Sequence, residues 1–174
     1  MAKQPSLAQL SAGKSSSCSD EQRLSQDYEV DLYLQQKWQD DRLHSANITR
    51  PLDLNDPELV KRVWKPAVFF TNAKSGEFQY VTVPNVLFRI YPEGNVLYMI
   101  RLKLKFSCMM DMSKYPLDTQ VCTIEVASFS KTTREVELQW AGKDGVELYK
   151  GLKMAQFVLT EVTLTQCKES FKIG

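Results

Sequence analysis

The chain has 174 residues, 43% hydrophobic and 25% charged, and its 22 basic and 21 acidic side chains leave a net charge of +1. This length suits one domain with a real core, and the balanced charge excludes a strong pull toward nucleic acid or an anionic membrane. No apolar run is long enough to span a bilayer, and the N-terminus holds no signal-peptide stretch, so an extracellular domain would need an export signal from outside this chain.

Residues 1–27 are rich in Ser, Gln and Lys and read as a disordered or atypical segment, weakly helical at most, with Cys18 inside a serine tract. From Tyr28 the pattern changes. Val30, Leu32, Leu34 and Trp38 alternate with Asp31, Tyr33, Gln35 and Lys37, which predicts a strand with one face in a core. Asn47-Ile48-Thr49 is a glycosylation sequon between strand-like segments. Residues 51–63 predict one short helical turn, capped by Asn55 or Asp56 with Pro57 at its first position.

The clearest strand runs from Val96 to Ser107. Val96, Tyr98, Ile100, Leu102, Leu104 and Phe106 share one face, and Leu97, Met99, Arg101, Lys103, Lys105 and Ser107 share the other. The turn Glu93-Gly94-Asn95 pairs it as a hairpin with Val86–Tyr91. Further strands are predicted at Cys122–Phe129, Glu135–Trp140 and Gln156–Gln166. Many short strands separated by polar turns indicate an all-β fold, a twisted two-sheet sandwich occupying residues 28–174.

Catalysis finds no foothold. His44 is the only histidine, and no nucleophile set, phosphate loop or metal-ligand spacing accompanies it; the expectation is no enzyme, no cofactor and no metal. Cys108 and Cys122 flank thirteen residues that include Tyr115-Pro116 and Asp118. A bridge between them would close a loop of about 15 residues, worth roughly 3 kcal/mol; two unpaired thiols are the alternative. Tyr115-Pro116 is a favourable setting for a cis bond in a tight turn, and Asp118 is a turn-capping side chain.

That loop resembles the signature loop of pentameric Cys-loop ligand-gated channels, and the resemblance extends along the chain. Trp38, Asp40, Arg42 and Leu43 match the family's stretch after its second strand. Trp64, Pro66, Phe69, Phe70 and Asn72 match the next block, and Asn95, Tyr98, Ile100, Arg101, Ser128-Phe129 and Leu138-x-Trp140 follow in order. The match is closest to the anion-selective branch, whose members include glycine, glutamate, histamine and proton- or zinc-responsive chloride channels.

The resemblance implies a neurotransmitter-binding extracellular domain of a chloride channel, with a Cys108–Cys122 disulfide. It implies agonist held between sibling subunits of a homo- or hetero-pentamer at the outer face of the plasma membrane. The complementary side would use Tyr33, Gln35, Met99 and Arg101; the principal side would use Phe69, Asn72, Ser128, Phe129 and Ser130. Tyr115, Pro116 and Asp118 would couple binding to the pore, with Met109, Met110 and Met112 adding adaptable apolar contact. Family members continue past this chain's end with a hairpin that pairs with Cys167's position and with four membrane helices. Cys167 is therefore expected to be unpaired, and the domain to be truncated at both ends.

Two departures bear on the ligand. Amino-acid receptors of this branch carry an Arg where Gln35 stands, and glycine-type members a Glu where Ala127 stands. With both neutral, an amine, a proton or a metal ion is favoured over an amino acid. A secreted soluble binding protein, or an assembly-modulating isoform of the same fold, is the alternative. An immunoglobulin-like adhesion domain would need a Cys-Trp-Cys pin that a pair thirteen residues apart does not supply.

Overall fold

The computed structural model describes residues 6–13, for which the backbone alone is considered, together with 27–44, 49–142, 145–152 and 157–168. The chain forms β1 (Ser6–Gly13), β2 (Asp27–Gln39), β3 (Leu52–Leu54), α1 (Pro57–Arg62), β4 (Val68–Phe70), β5 (Ala73–Phe78), β6 (Val86–Ile90), β7 (Asn95–Ser107), β8 (Val126–Ser128) and β9 (Val146–Leu148). The main sheet runs β3-β6-β7-β2-β1-β9, with β5 also pairing β7, and β4 and β8 form a second, two-stranded sheet.

The long alternating segments become the centre of the main sheet. β2 and β7 pair antiparallel along their whole lengths, from Asp27 opposite Ser107 to Gln39 opposite Asn95. Period-two alternation puts Leu32, Leu34, Ile100, Leu102, Leu104 and Phe106 on one face. Val68 and Phe70 of β4, Val126 of β8, and Ile124, Leu138, Trp140 and Val146 pack against that face and complete a sandwich core. A second cluster of Trp38, Val60, Phe88, Ile90 and Val96 gathers under α1. Gln36 is buried on the same face of β2 as Leu34 and Trp38.

The predicted helical turn is α1, with Asp56 accepting from the Glu58 N–H and Pro57 at its start. The predicted hairpin is also present: Val86 lies opposite Ile100 and Ile90 opposite Val96. Its turn needs Gly94, whose φ is +82°. A Cβ there would also meet the Asp40 carbonyl oxygen at 2.8 Å, the backbone to which the turn is tied by an Asp40 N–H bond to Gly94 O of 2.9 Å.

Three expectations are corrected. Residues 6–13, read as part of a disordered or weakly helical segment, form β1, antiparallel to β2 and parallel to β9. The free backbone edge of β2 is a template that does not require alternating side chains in the strand that fills it. Glu135–Trp140 makes no ladder: the N–H groups of Glu135 and Val136 turn back to Thr132 O. Nor do residues 157–166 form a strand. There the Trp140 indole and the Gln166 amide take the carbonyls of Thr165 and Leu138, so side chains replace the backbone pairing. Of the segment predicted as a strand at Cys122–Phe129, Val126–Ser128 is regular.

Candidate agonist-binding faces and coupling loop

Four residues expected on one side of an agonist are brought together by strand register. Tyr33 lies opposite Arg101 and Gln35 opposite Met99 on the β2/β7 face that points away from the core. The Arg101 guanidinium stands 5.7 Å from the centre of the Tyr33 ring. It also makes a two-point ion pair with Asp31, Nε to Oδ1 at 2.9 Å and Nη2 to Oδ2. Further along the same face Lys103 pairs with Glu29 at 2.8 Å and Lys105 with Asp27 at 3.4 Å.

In register Asp31 faces Lys103, Glu29 faces Lys105 and Asp27 faces Ser107. Every one of these ion pairs is therefore diagonal, and the three make a regular ladder of charge. Its last rung is the most enclosed. Asp27 is 4% exposed and also meets Lys74 of β5 at 2.5 Å. The hydrogen bond from Lys74 holds its carboxyl below the usual carboxylate range, against the opposing effect of burial and with help from Lys105.

The second group lies on the small sheet. Phe69 pairs with Ala127, and Val68 with Ser128; the Phe129 N–H to Ala67 O bond of 2.9 Å extends the ladder by one step. The Phe69 and Phe129 rings meet edge to face at 5.5 Å, and Phe129 is 78% exposed. Ser130 follows directly, and the Ser128 hydroxyl accepts from the Lys131 N–H.

Asn72 is placed differently from the aromatic pair. Its amide donates to Thr123 O at 2.7 Å and accepts from the Glu125 N–H at 3.1 Å. The same Thr123 carbonyl accepts from the Tyr28 hydroxyl at 2.6 Å. Burial, reinforced by Glu125, pushes that phenol up to about 12. Asn72 thus ties the segment leaving Cys122 to the main sheet.

Cys108 and Cys122 are joined by a disulfide with their Cα atoms 5.3 Å apart. The Tyr115–Pro116 bond is cis. Within the loop the Gln120 amide donates to Asp111 O at 2.7 Å and to Asp118 Oδ2, and it accepts from the Asp111 N–H at 3.0 Å. Met109 and Leu117 are each 91% exposed at its surface. Sequence reasoning passed over Gln120 and Leu117. Leu117 was detectable as an apolar residue between Pro116 and Asp118, whereas nothing local marks Gln120 as the loop's cross-link. Asp31 is placed by alternation on the outward face, but its pairing with Arg101 follows only from the β2/β7 register.

Cys167 is exposed and free, while Asn47 and Cys18 lie outside the described residues. Among the described residues no group of three or more His, Cys, Asp or Glu side chains could hold a metal ion, and no helix is long and apolar enough to cross a membrane.

The chain is thus a β-sandwich with a disulfide-closed loop between strands, and its two groups of candidate residues lie on separate sheets. The model of the neurotransmitter-gated ion-channel ligand binding domain matches residues 15–172, beginning earlier than the Tyr28 start expected from motifs. The chain is 36% identical over 150 residues to the glycine receptor subunit beta-type 4 of Caenorhabditis elegans, covering 86% of this chain and 32% of that protein. It therefore spans about a third of the length of this relative. The chain belongs to the neurotransmitter-gated ion-channel ligand-binding domain family, the extracellular domain of membrane channel subunits, which is not enzymatic.

Proposed function

We propose that this chain is the agonist-binding part of a subunit of a pentameric, chloride-selective channel. Agonist is held between the β2/β7 face of one subunit and the Phe69–Phe129 pair of the next. The observation that carries this reading is the division of the candidate residues between two sheets. Tyr33, Gln35, Met99 and Arg101 cluster on one, and Phe69, Ser128 and Phe129 on the other. Two different patches on one chain that share a ligand call for a head-to-tail contact, the kind that makes a ring when its rotation closes. Asn72 is assigned to the same principal side as a support for the segment behind the aromatic pair, and Ser130 as its neighbour.

The ligand class follows from charge. Gln35 is neutral, Ala127 offers no carboxylate, and the Arg101 guanidinium is held by Asp31. A zwitterion stripped of water there loses charge-assisted bonds worth about 1.5–3 kcal/mol each. An amine sits well against exposed aromatic rings; a proton needs no carboxylate receiver either, whereas a metal ion would have to draw ligands from more than one subunit, since no described cluster in this chain could hold one. On this reading the C. elegans relative's name does not extend to glycine as the agonist here. The loop 108–122 transmits agonist-induced movement to membrane-spanning parts of the subunit through Tyr115, Pro116 and Asp118, with Met109, Met110, Met112 and Leu117 as its apolar contacts. Asn47 carries a glycan.

The test is cysteine protection in channels assembled from the subunit that carries this domain, with the parent subunit as the reagent control. Gln35→Cys and Phe129→Cys are expected to react with a thiol reagent more slowly when agonist is bound. Unchanged rates at both positions would refute the placement of the site.

A further inference from the structure

Arg101 occupies a position from which two diagonal partners are within reach. It lies opposite Tyr33, with Asp31 one step along β2 in one direction and Gln35 one step in the other. Its planar fork is turned to Asp31 and takes both carboxylate oxygens, the bidentate geometry in which a guanidinium also receives a ligand carboxylate. The Tyr33 ring flanks the same guanidinium. The pair is not sealed in the core: the Arg101 side chain is 33% exposed and that of Asp31 19%. The next cation along, Lys103, has its own partner in Glu29, so Asp31 is not drawn away from Arg101.

We propose that Asp31 is a specificity-determining residue, a built-in carboxylate that occupies Arg101 and so shuts carboxylate-bearing ligands out of the β2/β7 face. This rests on the reading of that face as one side of the agonist site. Asp31 need not touch agonist; it acts through Arg101. A ligand carboxylate must displace a tethered one that is already in place, whereas an amine without a carboxylate meets no such competition. Without the Asp31 charge, the guanidinium is released toward Gln35 and Met99, at the level where the amino-acid receptors' arginine stands by resemblance.

The experiment uses channels of the full-length subunit and ligand pairs that differ by one carboxylate, β-alanine against propylamine and GABA against butylamine. Asp31→Asn is expected to improve the response to the carboxylate member relative to its amine by about tenfold or more, as one gained charge-assisted bond implies. Asp31→Asn combined with Arg101→Gln is expected to abolish that gain, and Asp31→Glu to retain the exclusion. An unchanged ratio in Asp31→Asn channels that still respond normally to amine would overturn the role of Asp31 while leaving the site in place. If substitutions at Gln35, Met99, Arg101 and Phe129 all leave every agonist response unchanged, the site itself is misplaced and the inference falls with it. Should Asp31→Asn fail to reach the cell surface, Asp31→Ser, which also removes the charge, is expected to shift the carboxylate-to-amine ratio in the same direction in the full-length channel, and an unchanged ratio there overturns the proposal.

Discussion

Phe69 and Phe129 meet edge to face at 5.5 Å across the end of the β4/β8 ladder, with Phe129 far more exposed than its partner. The backbone bond from Phe129 to Ala67 fixes that geometry, so the exposed ring is presented from a braced strand end. Replacing Phe129 with Ala is expected to raise the half-maximal concentration of an amine agonist by about two- to thirtyfold, the range of one cation–π contact. Phe129→Tyr should retain the response. Concentration–response curves with surface labelling as a control check both.

Asn72 holds Thr123 O and the Glu125 N–H with one side chain. Asn72→Ala leaves the Glu125 N–H to water and Thr123 O to the Tyr28 hydroxyl alone, and should cost about 1 kcal/mol of stability, read from denaturant midpoints. Asn72→Asp keeps the acceptor for Glu125 but places a carboxylate against the Thr123 carbonyl, and should be the more damaging of the two.

The core also depends on Phe106. It is fully buried, stacks with Tyr28 at 5.4 Å and meets Phe70 edge-on at 5.8 Å, joining the two sheets. Phe106→Ala is expected to destabilise the domain by about 3–5 kcal/mol. Phe106→Leu should be milder, and thermal melting ranks the two.

Stability should fall at both pH extremes for identifiable reasons. The Asp27 carboxyl is depressed foremost by its hydrogen bond from Lys74. Its contribution is therefore present above the unfolded value of about 4 and is lost as pH drops through the lower folded value. The Tyr28 phenol is raised to about 12 by burial and then by Glu125. Its contribution is complete below the unfolded value of about 10 and is lost as pH climbs toward the folded one. Asp27→Asn should flatten the acid limb of a stability–pH curve, and Tyr28→Phe the alkaline limb.

The parts legible in the sequence are those where local chemistry and tertiary environment agree. Strict alternation in Val96–Ser107 predicted β7 because one face is buried and the other wet, and Asp56-Pro57 predicted the start of α1 because a cap is a local device. The aromatic pair and the β2/β7 cluster were named from family motifs, and strand pairing then brought their members together. Residues 6–13 were opaque because a strand filling an existing edge needs no alternation of its own. Glu135–Trp140 misled in the opposite way: it alternates, yet Thr132 O captures its first N–H groups. Asp31 was seen only as one member of a solvent face. Its pairing with Arg101 spans 70 residues and depends on a β2/β7 register that neither strand encodes alone.

The most direct test is a glycine concentration–response curve from channels of the full-length subunit, with GABA and glutamate alongside a panel of simple amines. With Gln35 and Ala127 neutral and Arg101 held by Asp31, the amino acids should be poor agonists and at least one amine effective. A glycine response with a half-maximal concentration on the order of micromolar would contradict the assignment of these faces.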